Sequence, residues 1–161
     1  MSCIVASLLR SVANAMTDLS SPPAPVTLVD IREAAERIAA HIHRTPVYSS
    51  RLLAERVGCG VYFKCENLQK SGAFKARGAL NAVLGLDAAT AAAGVATHSS
   101  GNHGAALAMA AARRGISAHI VMPDNAPAVK KAAVEAYGGR VIACEPTLAA
   151  RESTLAAVVA A

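Results

Sequence analysis

Residues 95–144 read VATHSSGNHGAALAMAAARRGISAHIVMPDNAPAVKKAAVEAYGGRVIAC, and their alternation decides the fold. Val95 to His98 is a short run of strand type. A Gly-rich turn follows, then an Ala-rich helix from Ala105 to Arg114 that Gly115 stops. Ser117 to Met122 is a second strand, halted at Pro123. Ala126 to Tyr137 has helical composition and ends on Gly138-Gly139. Arg140 to Cys144 is a third strand, and a further helix runs from Thr147. Strands alternating with helices predict an α/β fold, a three-layer parallel sheet with helices on both faces.

Upstream, Thr27-Leu-Val-Asp30 has the form of a capping box. Ile31, Ala34, Ala35, Ile38 and Ile42 then recur at helical spacing, with charges on the other face. Thr45-Pro46 ends that helix, because the residue before proline avoids the helical region. A short helix over Ser50 to Val57 closes at Gly58, Val61 to Cys65 reads as a strand, and Ser71-Gly72 opens a helix to about Leu84. Ser20 to Pro25 is stiff and solvated, so residues 1–26 are expected to form a disordered leader.

Hydrophobic residues make up 53% of the chain and charged residues 17%, which supports a packed core and argues against disorder as a whole. Aromatics are 3% and Trp is absent, so that core is built from Ala, Val, Leu and Ile. The net charge is +5, yet Lys and Arg are scattered, and neither zinc-finger spacing nor an RNA-binding aromatic signature accompanies them. Nucleic acid is therefore not an expected partner; an anionic cofactor and a carboxylate substrate account for the sign. Cys3, Cys59, Cys65 and Cys144 form no C-x-x-C pair, which predicts reduced thiols and a cytoplasmic protein. No apolar run is of membrane-spanning length, so no membrane partner is expected. Met1 to Met16 makes a poor signal peptide, since its Arg follows the apolar stretch; organelle targeting through these residues is the alternative address, and Met16 an alternative start.

Two constellations carry chemistry. In Ser71-Gly72-Ala73-Phe74-Lys75-Ala76-Arg77-Gly78 a lysine sits just inside a helix among small and apolar neighbours. Desolvation near a helix N-terminus penalises an ammonium, and a neutral amine can form an imine with an aldehyde cofactor. The rival reading is a surface lysine on an amphipathic helix. In Thr97-His98-Ser99-Ser100-Gly101-Asn102-His103-Gly104 a Gly-rich turn joins a strand to a helix, where open α/β sheets bind ligands. Its amides favour an anion such as a carboxylate, Asn102 can donate to a ring oxygen, and Ser100 can move a proton. The rival reading is a tight turn with ordinary polar capping.

Together with Lys64-Cys-Glu-Asn-Leu-Gln69 and Cys144-Glu-Pro146, these motifs resemble the fold-type II pyridoxal-phosphate enzymes, of tryptophan synthase beta-like fold. The similarity is strongest to the serine racemase and serine/threonine dehydratase (ammonia-lyase) group, and it runs from about Leu28 to the end of the chain. It implies pyridoxal 5'-phosphate as cofactor. Lys75 matches the lysine that forms the internal aldimine and then acts as base toward the substrate α-proton. Phe74 matches a residue packing beside the cofactor ring, and Asn102 the one bonding its ring hydroxyl. Ser99, Ser100, Gly101, Asn102 and His103 match the loop that clamps the substrate carboxylate. Ser100 matches, in the racemases, a second acid/base on the opposite face of the cofactor.

The implied activity is dehydration of L-serine or L-threonine to a 2-oxo acid and ammonia, serine racemisation, or both, in a homodimeric enzyme. Residues 27–93 would form the N-terminal part of a large domain. Residues 94–161 would form a small mobile α/β domain, incomplete at its C-terminus. The family's phosphate-holding glycine run, its residue near the pyridine nitrogen and its divalent-cation site all lie further downstream. The chain is therefore expected to be a truncated N-terminal half without a metal site. His98 and His103 are expected to shape the loop rather than hold a metal, Glu66 and Asn67 to be structural, and Tyr137 to pack. Two other readings remain: a non-catalytic remnant that binds a partner subunit, and a nucleotide- or anion-binding module.

Overall fold

The computed structural model describes Ile4–Val5 and residues 25–161. The leader expected over 1–26, and the targeting reading of Met1 to Met16, otherwise lie outside the described residues. Strand β1 is Ile4–Val5, and helix α1 is Leu28–Ile38. The capping box forms as the sequence predicts: the Thr27 amide donates to Asp30 Oδ2 at 2.7 Å, and the Asp30 amide donates to Thr27 Oγ1 at 3.3 Å. The helix does not reach Ile42. It tightens into a 3-10 turn over Ala39–His41, and Ile42 is extended ahead of Thr45-Pro46.

Strand β2 (Val47–Ser49), helix α2 (Arg51–Val57) and strand β3 (Tyr62–Lys64) form a small antiparallel unit in which Tyr48 faces Phe63. Ser50 caps α2, and Gly58 closes it in the left-handed region at φ 74°. The strand at Val47–Ser49 is absent from the sequence reading. Three residues carry no periodicity, and pairing with β3 is what makes them a strand.

Helices α3 (Lys75–Leu84) and α4 (Ala88–Ala92) lead into the alternating half: β4 (Val95–His98), α5 (Asn102–Arg114), β5 (Ala118–Pro123), α6 (Ala128–Ala136), β6 (Arg140–Cys144) and α7 (Leu148–Ala160). Strands β4, β5 and β6 are parallel neighbours, with Val95 opposite Ala118 and His119 opposite Arg140; β1 runs antiparallel along the β4 edge. Side-chain alternation splits the strands between two faces. Val95, Ala118, Ile120 and Met122 face α3, α5 and α6, whereas Ala96 and Val121 face Leu155 of α7. The expected three-layer parallel arrangement is present.

The main core is aliphatic, as the composition requires. Ala76, Leu80, Ala106, Leu107 and Ala110 are all fully buried where α3 meets α5. Small side chains let these helices approach closely, and each buried methyl fills space that a larger residue would overfill. The two helices run parallel: at their C-terminal ends Arg114 of α5 donates to the carbonyl of Val83 in the last turn of α3 and to that of Leu86 just beyond it.

Two glycines give opposite outcomes. A Cβ on Gly139 would lie 2.8 Å from Ala108 Cβ and 2.8 Å from Val134 Cγ1, whereas one on Gly78 meets nothing within 4 Å. Gly139→Ala is expected to destabilise by about 1–3 kcal/mol through overpacking. Gly78→Ala, inside a helix, should stabilise by about 0.5–1 kcal/mol. Urea-unfolding midpoints on the two variants check both signs.

Candidate active site

Helix α3 starts without a side-chain cap: its N-cap is Phe74, in helical conformation. Its position is set instead by the segment before it. Gln69 is buried; its Oε1 accepts from the amides of His43 at 2.8 Å and Lys70 at 2.9 Å, and its Nε2 donates to the His43 carbonyl at 2.8 Å. A 3-10 turn over Lys70–Gly72 then carries two left-handed residues, Ser71 at φ 57° and Gly72 at φ 69°. Glycine tolerates that region; serine is strained there. The Ser71 hydroxyl is buried and finds no hydrogen-bond partner among the described residues.

Glu66 locks the same segment to α3. Arg77 donates to it twice, Nε to Oε2 at 2.8 Å and a terminal nitrogen to Oε1 at 2.8 Å, and the Thr45 hydroxyl donates to Oε1 at 2.6 Å. The Arg77 guanidinium holds the Glu66 carboxyl down at about 2, and Thr45 adds to that effect. The structural reading of Glu66 is the one its contacts support. The Lys64 ammonium donates to the Thr45 carbonyl at 2.7 Å and completes the brace.

Lys75 is half-buried on the first turn of α3, with Nζ 5.1 Å from the centre of the exposed Phe74 ring. The Ser99–Gly104 turn lies opposite. Helix α5 begins at Asn102, not at Ala105, so the last residues of the motif are themselves the first helical turn. Ser99 Oγ accepts from the amides of Gly101 at 3.3 Å and Gly104 at 3.1 Å. That hydroxyl shapes the turn and is already engaged there. Gly104 is required by packing, since a Cβ would lie 2.8 Å from Ile120 Cγ2; Gly101 faces open space, where a ligand can reach the backbone.

His103 is half-buried between the two motifs. Burial pushes its imidazole below the ordinary histidine range, and the charges of Lys75 and His98 push the same way. Ser100 and Asn102 are exposed. Asn102 Oδ1 accepts from Lys130 Nζ at 2.6 Å. Nothing local in the sequence ties Lys130 to a turn on another helix.

The site thus gathers a half-buried amine beside an aromatic ring, a carboxamide, a hydroxyl and the N-terminal ends of two parallel helices. That donor set suits a planar aldehyde cofactor and a carboxylate. Lys75 would hold the aldehyde carbon, Phe74 would flank the ring and Asn102 would donate to a ring oxygen. Among the described residues, no group of three or more His, Cys, Asp or Glu side chains is placed to hold a metal, and no helix is long and apolar enough to cross a membrane.

The sequence pattern of the pyridoxal-phosphate dependent enzymes matches residues 38–161. The chain belongs to this family. It is 54% identical over 132 residues to a beta-hydroxyaspartate dehydratase of Paracoccus denitrificans, covering 82% of this chain and 42% of that protein. It is 52% identical over 132 residues to a serine racemase of Dictyostelium discoideum, covering 82% of this chain and 41% of that one. The solved maize serine racemase superposes with a TM-score of 0.78 at 52% identity, over 80% of this chain and 39% of its own. A solved threonine deaminase from T.th. gives 0.74 at 42% identity, over 83% and 42%. The chain therefore spans about two fifths of the length of the relatives it matches. Members of this pyridoxal-phosphate family use that cofactor, and Lys75, Phe74 and Asn102 all lie within the matched residues.

Two outcomes test this geometry without any ligand. A carboxyl depressed in the folded state contributes stability that is present above its unfolded value and lost as pH falls through its folded value. Stability from Glu66 should therefore fade from about 4.5 toward about 2. Glu66→Gln should cost about 1–3 kcal/mol at neutral pH and remove that part of the acid dependence, read as urea midpoints against pH. Separately, the His103 ring should titrate below an exposed histidine by NMR. Lys75→Met should raise its midpoint only in part, because burial is the larger cause.

Proposed function

We propose that this chain supplies the lysine side of an amino-acid-converting site. It would remove the α-proton of a small hydroxy amino acid such as L-serine or L-threonine, with β-elimination to a 2-oxo acid and ammonia, racemisation, or both. The observation that carries the reading is the placement of Lys75, at the head of α3, against the Ser99–Gly104 turn at the head of α5, where burial and the Lys75 charge lower the His103 imidazole. Pyridoxal phosphate, when bound, supplies the electron sink for the carbanion.

The chain's own residues divide the remaining work. The turn orients the substrate carboxylate at the start of α5, where the helix dipole favours an anion. Lys75 provides the amine that holds the cofactor and then takes the α-proton. Ser100, exposed on the turn, provides the second acid/base that racemisation needs. His103, biased to its neutral form, adds no second positive charge beside the lysine. Two kinds of relative favour this pair of outcomes: a dehydratase and a racemase each match over 132 residues, at 54% and 52% identity. The working form is proposed to be a homodimer.

The test is covalent capture. Pyridoxal phosphate added to the chain, reduced with borohydride and located by peptide mass, should label Lys75 and be lost in Lys75→Ala. Persistence of the label in that variant would sink the assignment. A chimera in which this chain replaces the matching part of the Dictyostelium serine racemase should turn over L-serine. In it, Ser100→Ala should reduce racemisation by about 10²-fold or more and spare elimination. Equal loss of both would remove the separate role of Ser100.

A further inference from the structure

Lys130 sits on the first turn of α6, directly followed by Lys131. Cations there oppose the helix macrodipole, and the first turn of α6 carries no acid to offset them. A residue that breaks a local rule needs a reason elsewhere in the fold. Lys131 has a structural one: its ammonium donates to the Asp124 carbonyl at 2.6 Å, closing the loop before its own helix. Lys130 is half-buried, and its ammonium reaches across to α5, meeting Asn102 Oδ1 at 2.6 Å.

We propose that Lys130 is a positioning residue that fixes which end of the Asn102 carboxamide faces a ligand. The inference rests on the functional reading above, in which Asn102 donates to an oxygen of the cofactor ring. A carboxamide on a helix surface can turn over and exchange its oxygen for its nitrogen. An ammonium has three donors and no acceptor, so it pairs only with the oxygen. The turned-over state sets donor against donor and is excluded. With the oxygen committed to Lys130, the NH2 group is what the side chain presents to another acceptor. The ammonium also draws charge from the amide and strengthens that nitrogen as a donor. Lys130 therefore sets both the direction and the strength of the Asn102 contact without touching the ligand.

The first measurement needs no cofactor. In the 15N-labelled chain, the Asn102 side-chain amide pair is identified by its loss in Asn102→Ala. It should shift toward the position of an exposed asparagine in Lys130→Met and return in Lys130→Arg. An unchanged pair in Lys130→Met overturns the proposal. The second measurement is an absorbance titration with pyridoxal phosphate. Lys130→Met should weaken uptake by about tenfold, the loss of one good hydrogen bond, and should have no effect in an Asn102→Ala background. An equal loss in both backgrounds would mean that Lys130 meets the ligand itself and would overturn the positioning role. Failure of the unmutated chain to take up cofactor would count against the functional reading alone, because the amide measurement still decides whether the lock exists.

Discussion

Close, parallel packing of α3 against α5 is the constraint on which the site depends. It is made by small residues. Ala76, Ala106 and Ala110 are fully buried on the two helices, and the short side chains set how near the backbones come. Arg114 ties the far ends by donating to carbonyls of Val83 and Leu86. Because the helices are parallel, their N-termini share one end, and Lys75 arrives beside His103. An antiparallel pair of the same composition would bury as much methyl surface and separate the two motifs by the length of a helix.

Much of this was legible in the sequence, and the reason is local chemistry. Thr27 and Asp30, Ser50 and Gly58, Thr147, Gly115 and Gly138 each mark a helix end through their own side chain or their own backbone freedom, and each does so in the structure. The strands β4 and β6 have the bounds the sequence suggests. What escaped were features made by partners distant in sequence. Strand β2 exists through β3. The ties between Gln69 and His43, and between Lys130 and Asn102, join residues with no periodic relation. The start of α5 was missed for another reason: glycine at Gly101 and Gly104 signals a turn, yet Gly104 stands in a helix because Ile120 leaves no room for a Cβ.

The segment before Lys75 shows where the fold places strain and what offsets it. Ser71 occupies a left-handed conformation, and its hydroxyl is buried without a partner among the described residues. Both are unfavourable, by about 1–3 kcal/mol each. Around them stand two sets of polar ties: the buried Gln69 clamp and the paired Glu66–Arg77 contact with Thr45. These flank the strained turn on both sides. A lysine at the mouth of a site must be held by something other than its own flexible stem, and here the backbone under it is over-determined.

The helices themselves separate the structural from the chemical. Helices α1, α2, α4 and α7 each start on a side-chain cap, from Thr27, Ser50, Asp87 and Thr147. Helices α3, α5 and α6 start on Phe74, Gly101 and Pro127, with no N-cap side-chain bond and no acid in the first turn. A missing cap costs about 1 kcal/mol; in α5 the Ser99 hydroxyl, which accepts from the Gly104 amide, takes part of that place. These three are the helices that carry Lys75, Asn102 and Lys130. Their positive ends are left without acidic side chains, and the residues added there are cations and a carboxamide, which raise the local potential further. Helix starts of this kind favour an anion, so under the proposed function the same omissions that lower the stability of the free chain would suit a carboxylate or phosphate ligand.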